Sequence, residues 1–310
     1  MFDTPFFHIG DGSAWFPSTT FHCLAALLTS TVLLAVSAGA QETGIAAAYP
    51  LDRGLAAHPS VLLFLDFDDE VETRAWIDGH EGYGWTANPD RIFAGGGALE
   101  LQQTKDTHKP YEIHPALPEI DVAYVRFYRK WQKGYDFNQH KMPGVYAYAA
   151  GRTGGGAGEK PTGRDKFSCK LFVTFDGNPR FYTYHPEQKG IYGDALPMNT
   201  VEEFAVEAGR WYCFEMMIHA NDPPQRNGEL KMWIDGQQVA HYDSMRFRDT
   251  PDLRINLFTH SAYVGGNWVS RQDQQLWDDQ IVVATEYIGP MTTERSGLSD
   301  AEEKPDAEAP

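Results

Sequence analysis

Two pairs of side chains in this sequence could act together on a carboxylate and on the proton beside it. Ser168 and Lys170 are separated by one residue, and so are Tyr182 and Tyr184. Because successive side chains of a β-strand point to opposite faces, each pair projects from one side of its strand. A cation and a hydroxyl can neutralise a carboxylate, and tyrosines near cations can exchange protons, since positive charge lowers the pKa of a phenol. These residue types suit β-elimination from a uronic acid, in which the proton next to a carboxylate is removed and a leaving oxygen is protonated.

The residues that alternate with Ser168 and Lys170 indicate what lies behind them. In the sequence FSCKLFVTF, the opposite face carries only apolar side chains: Phe167, Cys169, Leu171, Val173 and Phe175. Such a face must belong to a hydrophobic core. We therefore expect Ser168 and Lys170 to point to an open face of a sheet. There, aromatic and cationic side chains can bind sugar rings and their carboxylates.

The elements that position these residues are predicted to be short strands. Ten runs rich in Val, Ile, Phe, Tyr and Trp are separated by turn residues: 61–68, 98–103, 122–131, 167–175, 180–185, 211–219, 229–234, 238–242, 254–259 and 276–287. The dipeptide Asp235-Gly236 between two of them predicts a hairpin. No long segment has helical periodicity. The pattern predicts an all-β protein, a β-sandwich or jelly roll that forms a single domain over residues 41–293.

Charge is distributed unevenly along the 310 residues. The formal net charge of −17 argues against a general nucleic-acid binder. Residues 124–189 nevertheless hold 12 Lys and Arg against 5 Asp and Glu. Alternation places Arg126 and Arg180 on the polar faces of their runs, which we expect to share one sheet with Ser168 and Lys170. The two arginines are therefore candidates for binding an acidic polymer, because local potential steers a ligand more than net charge does.

Both ends of the chain are predicted to lie outside the fold. Residues 23–40 carry no charge and end in Ala38-Gly39-Ala40, a pattern typical of a signal peptide over residues 1–40 that is cleaved after Ala40. The acidic composition of residues 294–310 predicts a disordered tail. We expect a secreted or periplasmic monomer with no membrane segment in the mature form.

Two further features leave alternatives open. Cys169 and Cys213 could form a disulfide in an exported protein, or both could be buried thiols. A second group of acidic residues, near the first and last predicted strands, could bind a structural Ca²⁺ or could be solvated carboxylates at the sheet edge. That group consists of Asp66, Asp68, Asp69, Glu70, Asp278 and Asp279. No cofactor and no catalytic metal are expected.

The order of these motifs resembles a known family. The sequence HKMPG at 140–144 is similar to the K-[LM]-P-G motif of polysaccharide lyase family 14, the alginate and glucuronan lyases with a jelly-roll fold. As in that family, a glycine-rich loop (151–163), a Ser-x-cation triplet and a Tyr-x-Tyr triplet follow in order. Residues 277–290 resemble the closing strand of concanavalin-A-like domains. The family has arginine where this chain has Lys170, which keeps the charge but loses a planar two-pronged contact.

The resemblance implies a role for each matching residue. Lys141 would neutralise the substrate carboxylate or help remove the proton, and Ser168 and Lys170 would bind the carboxylate. Tyr182 and Tyr184 would be the catalytic base and acid, in either order.

Two histidines are further candidates for the substrate-binding surface. His140 flanks the KMPG motif and could take a proton. His260 ends a strand whose counterpart lines the groove in the family. Alternatively, His260 is a hydrogen-bonded histidine of the core.

The sequence thus predicts a secreted polysaccharide lyase that cleaves a uronate polymer of the glucuronan or alginate type. A non-catalytic carbohydrate-binding module of the same fold is the alternative. A glycoside hydrolase is a third hypothesis, disfavoured because no E-x-D-x-x-E run supplies the two carboxylates that hydrolysis needs.

Overall fold

The computed structural model describes residues 43–152, 154 and 157–292. The predicted signal peptide and the predicted tail lie outside the described residues. Fourteen strands and one α-helix are found within the described ranges: β1 (Val61–Leu65), α1 (Glu70–Trp76), β2 (Tyr83–Thr86), β3 (Ala98–Gln103), β4 (Ala116–Ile120), β5 (Val122–Trp131), β6 (Lys141–Tyr148), β7 (Lys166–Val173), β8 (Pro179–Tyr184), β9 (Asp194–Leu196), β10 (Trp211–His219), β11 (Gly228–Ile234), β12 (Gln237–Met245), β13 (Ile255–Thr259) and β14 (Gln274–Ala284).

The strands form two antiparallel sheets. One has the order β12-β11-β10-β5-β14-β3-β2, with β1 also paired to β14, and the other has the order β4-β13-β6-β7-β8-β9. A large hydrophobic core draws buried side chains from both sheets, such as Phe127 and Phe214 from the first and Phe167 and Phe181 from the second. The predicted all-β jelly-roll β-sandwich is confirmed.

All ten predicted runs overlap strands, and four strands were not predicted. Strands β2, β4 and β6 contain Gly or Pro, residues that weaken a strand pattern, and β9 has only three residues. The predicted hairpin joins β11 to β12, with positive φ angles of 51° at Asp235 and 81° at Gly236. Positive φ at both central residues is the type I′ geometry that matches strand twist.

Strand β7 alternates as predicted up to Val173, whereas Phe175 lies beyond the strand, is only partly buried and packs against Trp268. Phe167, Cys169 and Leu171 belong to the hydrophobic core, whereas Ser168 and Lys170 lie on the other face of the strand. Neighbouring strands β6 and β8 flank β7 along its length. The six-stranded sheet therefore separates core-facing residues from the residues that could meet a ligand.

The prediction that the basic runs share one sheet is wrong. Strand β5, which carries Arg126, lies in the eight-stranded sheet between β10 and β14. Its face away from the main core is covered, because Ala46 and Leu55 pack with Val282 and Ala284 in a second hydrophobic cluster. Alternation identified this face correctly but could not show that another segment covers it.

Cys169 and Cys213 are both buried free thiols. They lie on β7 and β10, strands of different sheets. The structure thus resolves the open alternative in favour of unpaired cysteines. In the part of the chain that the structure describes, no helix is long and apolar enough to cross a membrane.

Candidate active site

A pocket of about 870 Å³ lies on the outward face of the six-stranded sheet. Strand register brings its central residues together, because Ser168 is paired with Tyr184 and Lys170 with Tyr182 between β7 and β8. Lys141, at the start of β6, lines the same pocket. The five residues with predicted catalytic or carboxylate-binding roles are therefore brought together by adjacent strands, although 43 positions separate Lys141 from Tyr184.

Lys141 lies against aromatic rings. Its Nζ atom is 3.5 Å from the centroid of the Tyr182 ring and 4.8 Å from that of Phe172. Burial and the positive charge of Lys170 lower the pKa of Lys141 to about 7, although Glu112 acts in the opposite direction. Lys141 therefore gains or loses its proton near neutral pH. A carboxylate that binds beside it would favour the protonated, positively charged form.

Tyr182 and Tyr184 are hydrogen-bonded to each other. Their hydroxyl oxygens are 3.3 Å apart, and their rings meet edge to face at a centroid distance of 5.5 Å. Burial and the hydrogen bond to Tyr184 raise the pKa of Tyr182 above its ordinary value. The expectation that nearby cations lower this pKa is thus wrong for Tyr182, because burial outweighs the charge of Lys170. Tyr182 holds its proton in the free pocket and can donate it.

Lys170 is held in a buried polar network. Its Nζ atom donates to Glu112 and to the hydroxyl of Tyr146, the latter at 2.8 Å. Burial opposes the charged form, but Glu112 and Tyr146 outweigh burial and raise the pKa of Lys170. The same lysine lowers the pKa of Glu112 against the effect of burial, so the pair is ionised on both sides.

The glycine of the KMPG motif, Gly144, lies where two neighbouring strands approach each other closely. A β-carbon at this position would lie 2.3 Å from the carbonyl oxygen of Cys169 and 2.5 Å from the α-carbon of Lys170. Strands β6 and β7 therefore approach each other closely beside Lys170, and only glycine leaves room for that approach.

We expect Gly144→Ala to push β6 away from β7 and to displace Lys170. The cost in unfolding free energy should be about 1–3 kcal/mol, the usual range for overpacking. Urea unfolding would measure this cost, with Gly84→Ala as the control, because Gly84 is also a strand glycine and its added β-carbon would meet no atom closer than 3.9 Å. Equal stability of Gly144→Ala and wild type would contradict the steric argument.

Comparison with known families identifies the chain. The sequence model of the family described as Polysaccharide lyase 14 matches residues 102–281, which include every strand that lines the pocket. The chain belongs to polysaccharide lyase family 14. The predicted enzyme class, a polysaccharide lyase, is thereby confirmed.

Solved structures share the fold of this family 14 lyase. A variant of alginate lyase Aly36B in complex with alginate tetrasaccharide has a TM-score of 0.58 at 18% identity, covering 74% of this chain and 99% of its own. Alginate lyase vAL-1 from Chlorella virus has a TM-score of 0.58 at 17% identity, covering 73% and 99%. The alginate lyase from Aplysia kurodai has a TM-score of 0.56 at 15% identity, with the same coverage. A search of curated protein sequences gave no match.

Two predicted arginines lie outside the pocket of this lyase. Arg126 is fully buried, pairs with Asp52 and donates to the carbonyl oxygen of Gly289 at 3.0 Å. Arg180 shares the face of β8 with Tyr182 but pairs with Glu203 at 2.8 Å beyond the pocket. Placing Arg126 on the ligand-binding surface is wrong because the segment around Asp52 covers it. Arg180 does not line the pocket, and its guanidinium group is paired with Glu203 instead.

The two predicted histidines are core residues. His140 is fully buried and accepts a hydrogen bond from Nε1 of Trp131 at 3.0 Å. His260 is also buried, with its Nε2 atom 2.6 Å from Asp278. Burial lowers the pKa of both imidazoles. The alternative interpretation of His260, a hydrogen-bonded histidine of the core, is correct.

Several pocket residues were not predicted. Tyr146 lies on β6 and Glu112 on the segment before β4, and both contact Lys170. The alternation of Tyr146 and Tyr148 with Val145 and Ala147 was a usable signal, since the valine and alanine face the core. Glu112 lies in no periodic run, so no sequence pattern pointed to it.

The predicted acidic cluster is divided among protein partners. Asp278 pairs with Arg129, and Asp279 accepts hydrogen bonds from the amides of Phe93 and Ala94 at 2.9 and 3.1 Å. Asp69 caps α1 by accepting from the amide of Glu72. Among the described residues, no group of three or more His, Cys, Asp or Glu side chains is placed to hold a metal ion.

Proposed function

We propose that this lyase cleaves a uronate-containing polysaccharide by β-elimination. The observation that carries the proposal is the position of Lys141 beside the hydrogen-bonded Tyr182 and Tyr184 in one pocket. The complex of a structural neighbour with an alginate tetrasaccharide supports an acidic polysaccharide as substrate.

In the proposed reaction, the substrate carboxylate lies against Lys141 and Ser168. The ammonium group of Lys141 offsets negative charge that develops on the carboxylate as the C5 proton leaves. The C5–H electron pair becomes the C4–C5 double bond, and the C4–O bond breaks toward the glycosidic oxygen. That oxygen takes a proton and leaves as the new end of the shortened chain.

The two tyrosines divide the proton transfers. Tyr182 holds its proton because burial raises its pKa, and it therefore donates to the leaving oxygen. Tyr184, the other member of the pair, reacts as its phenolate and accepts the C5 proton, so that the reaction leaves Tyr184 protonated and Tyr182 deprotonated. After the reaction, a proton can pass from Tyr184 to Tyr182 along their 3.3 Å hydrogen bond and restore the starting state.

The test is the appearance of unsaturated product. Purified protein would be incubated with glucuronan, alginate and uronate-containing heteropolysaccharides while the ultraviolet absorbance of the C4–C5 double bond is followed. We expect absorbance to rise on at least one of these polymers. Folded protein that releases new reducing ends without this absorbance would be a hydrolase. Folded protein that retains a polymer without cleaving it would be the carbohydrate-binding module.

The hydrolase alternative has little support in the pocket. Among the described residues that line it, Glu112 is the only carboxylate, and Lys170 and Tyr146 already engage it. Hydrolysis requires two carboxyl groups across the scissile bond.

We also propose that the enzyme acts outside the cytoplasm. The support is the uncharged apolar run 23–40 with its small-x-small end. Expression of the full chain in a secreting host should yield an exported protein whose mass corresponds to a start at Gln41. Retention of residues 1–40 in the exported protein would contradict the proposed cleavage.

A further inference from the structure

The cations of the pocket differ in how far they are already neutralised. Three lysines line it among the described residues: Lys141, Lys166 and Lys170. Lys166 pairs with Glu159 at 3.2 Å and Lys170 pairs with Glu112. Within the described ranges, Lys141 has no carboxylate within 4.0 Å of its Nζ atom. Among the described lysines of the pocket, Lys141 is therefore the one whose charge is not already balanced by a carboxylate.

Glu112 already supplies Lys170 with a carboxylate partner. Its oxygens also accept hydrogen bonds from Tyr146 and Ser261, both at 3.2 Å, and one oxygen lies 3.6 Å from His114. The Lys170 side chain is 6% exposed and that of Glu112 is 17% exposed. A second carboxylate at Lys170 would have to displace Glu112 and leave a nearly buried charge without its partner, which is strongly unfavourable.

The pocket is longer than one sugar ring. Its lining draws on β13, β6, β7, β8 and β9, which are consecutive in the sheet. Four inter-strand spacings of about 4.8 Å give a span of roughly 19 Å. Three of its aromatic side chains, Tyr111, Tyr192 and Trp268, are more than half exposed. Such rings can stack on sugar faces that carry no charge.

We propose that the natural substrate is a polysaccharide in which uronates are separated by neutral sugars. This inference rests on the β-elimination proposed above and narrows its substrate class. The carboxylate of one uronate meets Lys141, neutral sugars lie on the exposed aromatic rings, and the Lys170–Glu112 pair contacts hydroxyl groups. A polymer charged on every ring would place further carboxylates near Glu112, where like charges repel.

The first experiment compares two substrates of similar chain length. One is a homopolymer of glucuronate or mannuronate, and the other alternates a uronate with a neutral hexose or deoxyhexose. We expect kcat/KM for unsaturated product to be at least about tenfold higher on the alternating polymer, a difference of about 1.4 kcal/mol. Equal or faster cleavage of the homopolymer would overturn the inference while leaving β-elimination intact. Absence of unsaturated product from both polymers would overturn the proposed function and the inference together.

The second experiment removes the carboxylate that neutralises Lys170. We expect Glu112→Gln to shift the preference toward the homopolymer by about tenfold, mainly through KM, because a second cation becomes available. Glu229→Gln is the matched control, since it removes a carboxylate from another Lys–Glu pair, Lys231–Glu229, on the other sheet. A uniform loss on both polymers would show that Glu112 only supports the structure and would contradict the inference.

A double variant covers the case in which Glu112→Gln does not fold. Replacing both partners of a buried pair costs less than removing one. Glu112→Gln combined with Lys170→Met should therefore fold and keep the wild-type preference for the alternating polymer. A shift of the double variant toward the homopolymer would contradict a role for the pair in balancing charge.

Discussion

Replacing Tyr182 or Tyr184 by phenylalanine should lower kcat by about 10²- to 10⁴-fold, the usual contribution of a positioned acid or base. Each substitution removes a hydroxyl of the hydrogen-bonded pair and keeps the ring on which Lys141 lies. KM should change little, because the rings still line the pocket. Steady-state rates of unsaturated product formation on the best substrate would measure both parameters.

The control is Tyr49→Phe, which removes a tyrosine hydroxyl from the second hydrophobic cluster and not from the pocket. It should retain wild-type kcat. The double variant Tyr182→Phe/Tyr184→Phe should be little slower than either single variant, because residues that act as a unit are not additive. A loss of less than threefold in both single variants would remove the tyrosines from the proton transfers.

The pH dependence of kcat/KM should report the charge of Lys141. Its pKa is lowered to about 7 in the free pocket, and the protonated form is the one that neutralises a carboxylate. Because the ammonium form is lost as the pH rises through about 7, we expect deprotonation of Lys141 to lower kcat/KM over this range. A bound carboxylate favours the ammonium form, so the corresponding fall in kcat should occur at higher pH.

Two substitutions separate charge from other roles of Lys141. Lys141→Met should lower kcat/KM by about 10²- to 10³-fold below the pKa, the usual cost of removing one group that stabilises developing charge. Lys141→Arg keeps its charge at all accessible pH values, so the fall near pH 7 should disappear even if the rate is lower. An unchanged profile in Lys141→Arg, or a wild-type kcat/KM that rises through this range, would contradict the proposed role.

The central part of the site could be predicted because it depends on alternation. Ser168 and Lys170 are flanked by Cys169 and Leu171, whose apolar character identifies the core face without any structure. The lysine of the KMPG motif was found through the family resemblance instead. Strand β6 was not predicted, because the Pro and Gly of that motif obscure its periodicity.

The incorrect site predictions concern tertiary contacts, which the alternation of side chains along a strand does not reveal. A polar residue opposite a core face is exposed only if nothing covers it, and Arg126 is covered by the chain around Asp52. The position of Glu112 depends on tertiary contacts of a loop, where backbone periodicity is absent. His140 is adjacent in sequence to the pocket residue Lys141, and His260 follows β13, which lines the pocket through Leu257. The side chains of both histidines nevertheless hydrogen-bond within the core.

The alternation of β7 also determines how the substrate range of the enzyme can be engineered. Cys169 and Leu171 belong to the core, whereas Ser168 and Lys170 line the pocket, so stability and recognition occupy different positions of one strand. A library that varies pocket-facing positions of this sheet should retain its melting temperature while its specificity changes. Lys170 should be varied together with Glu112 in such a library, because their buried charges balance each other.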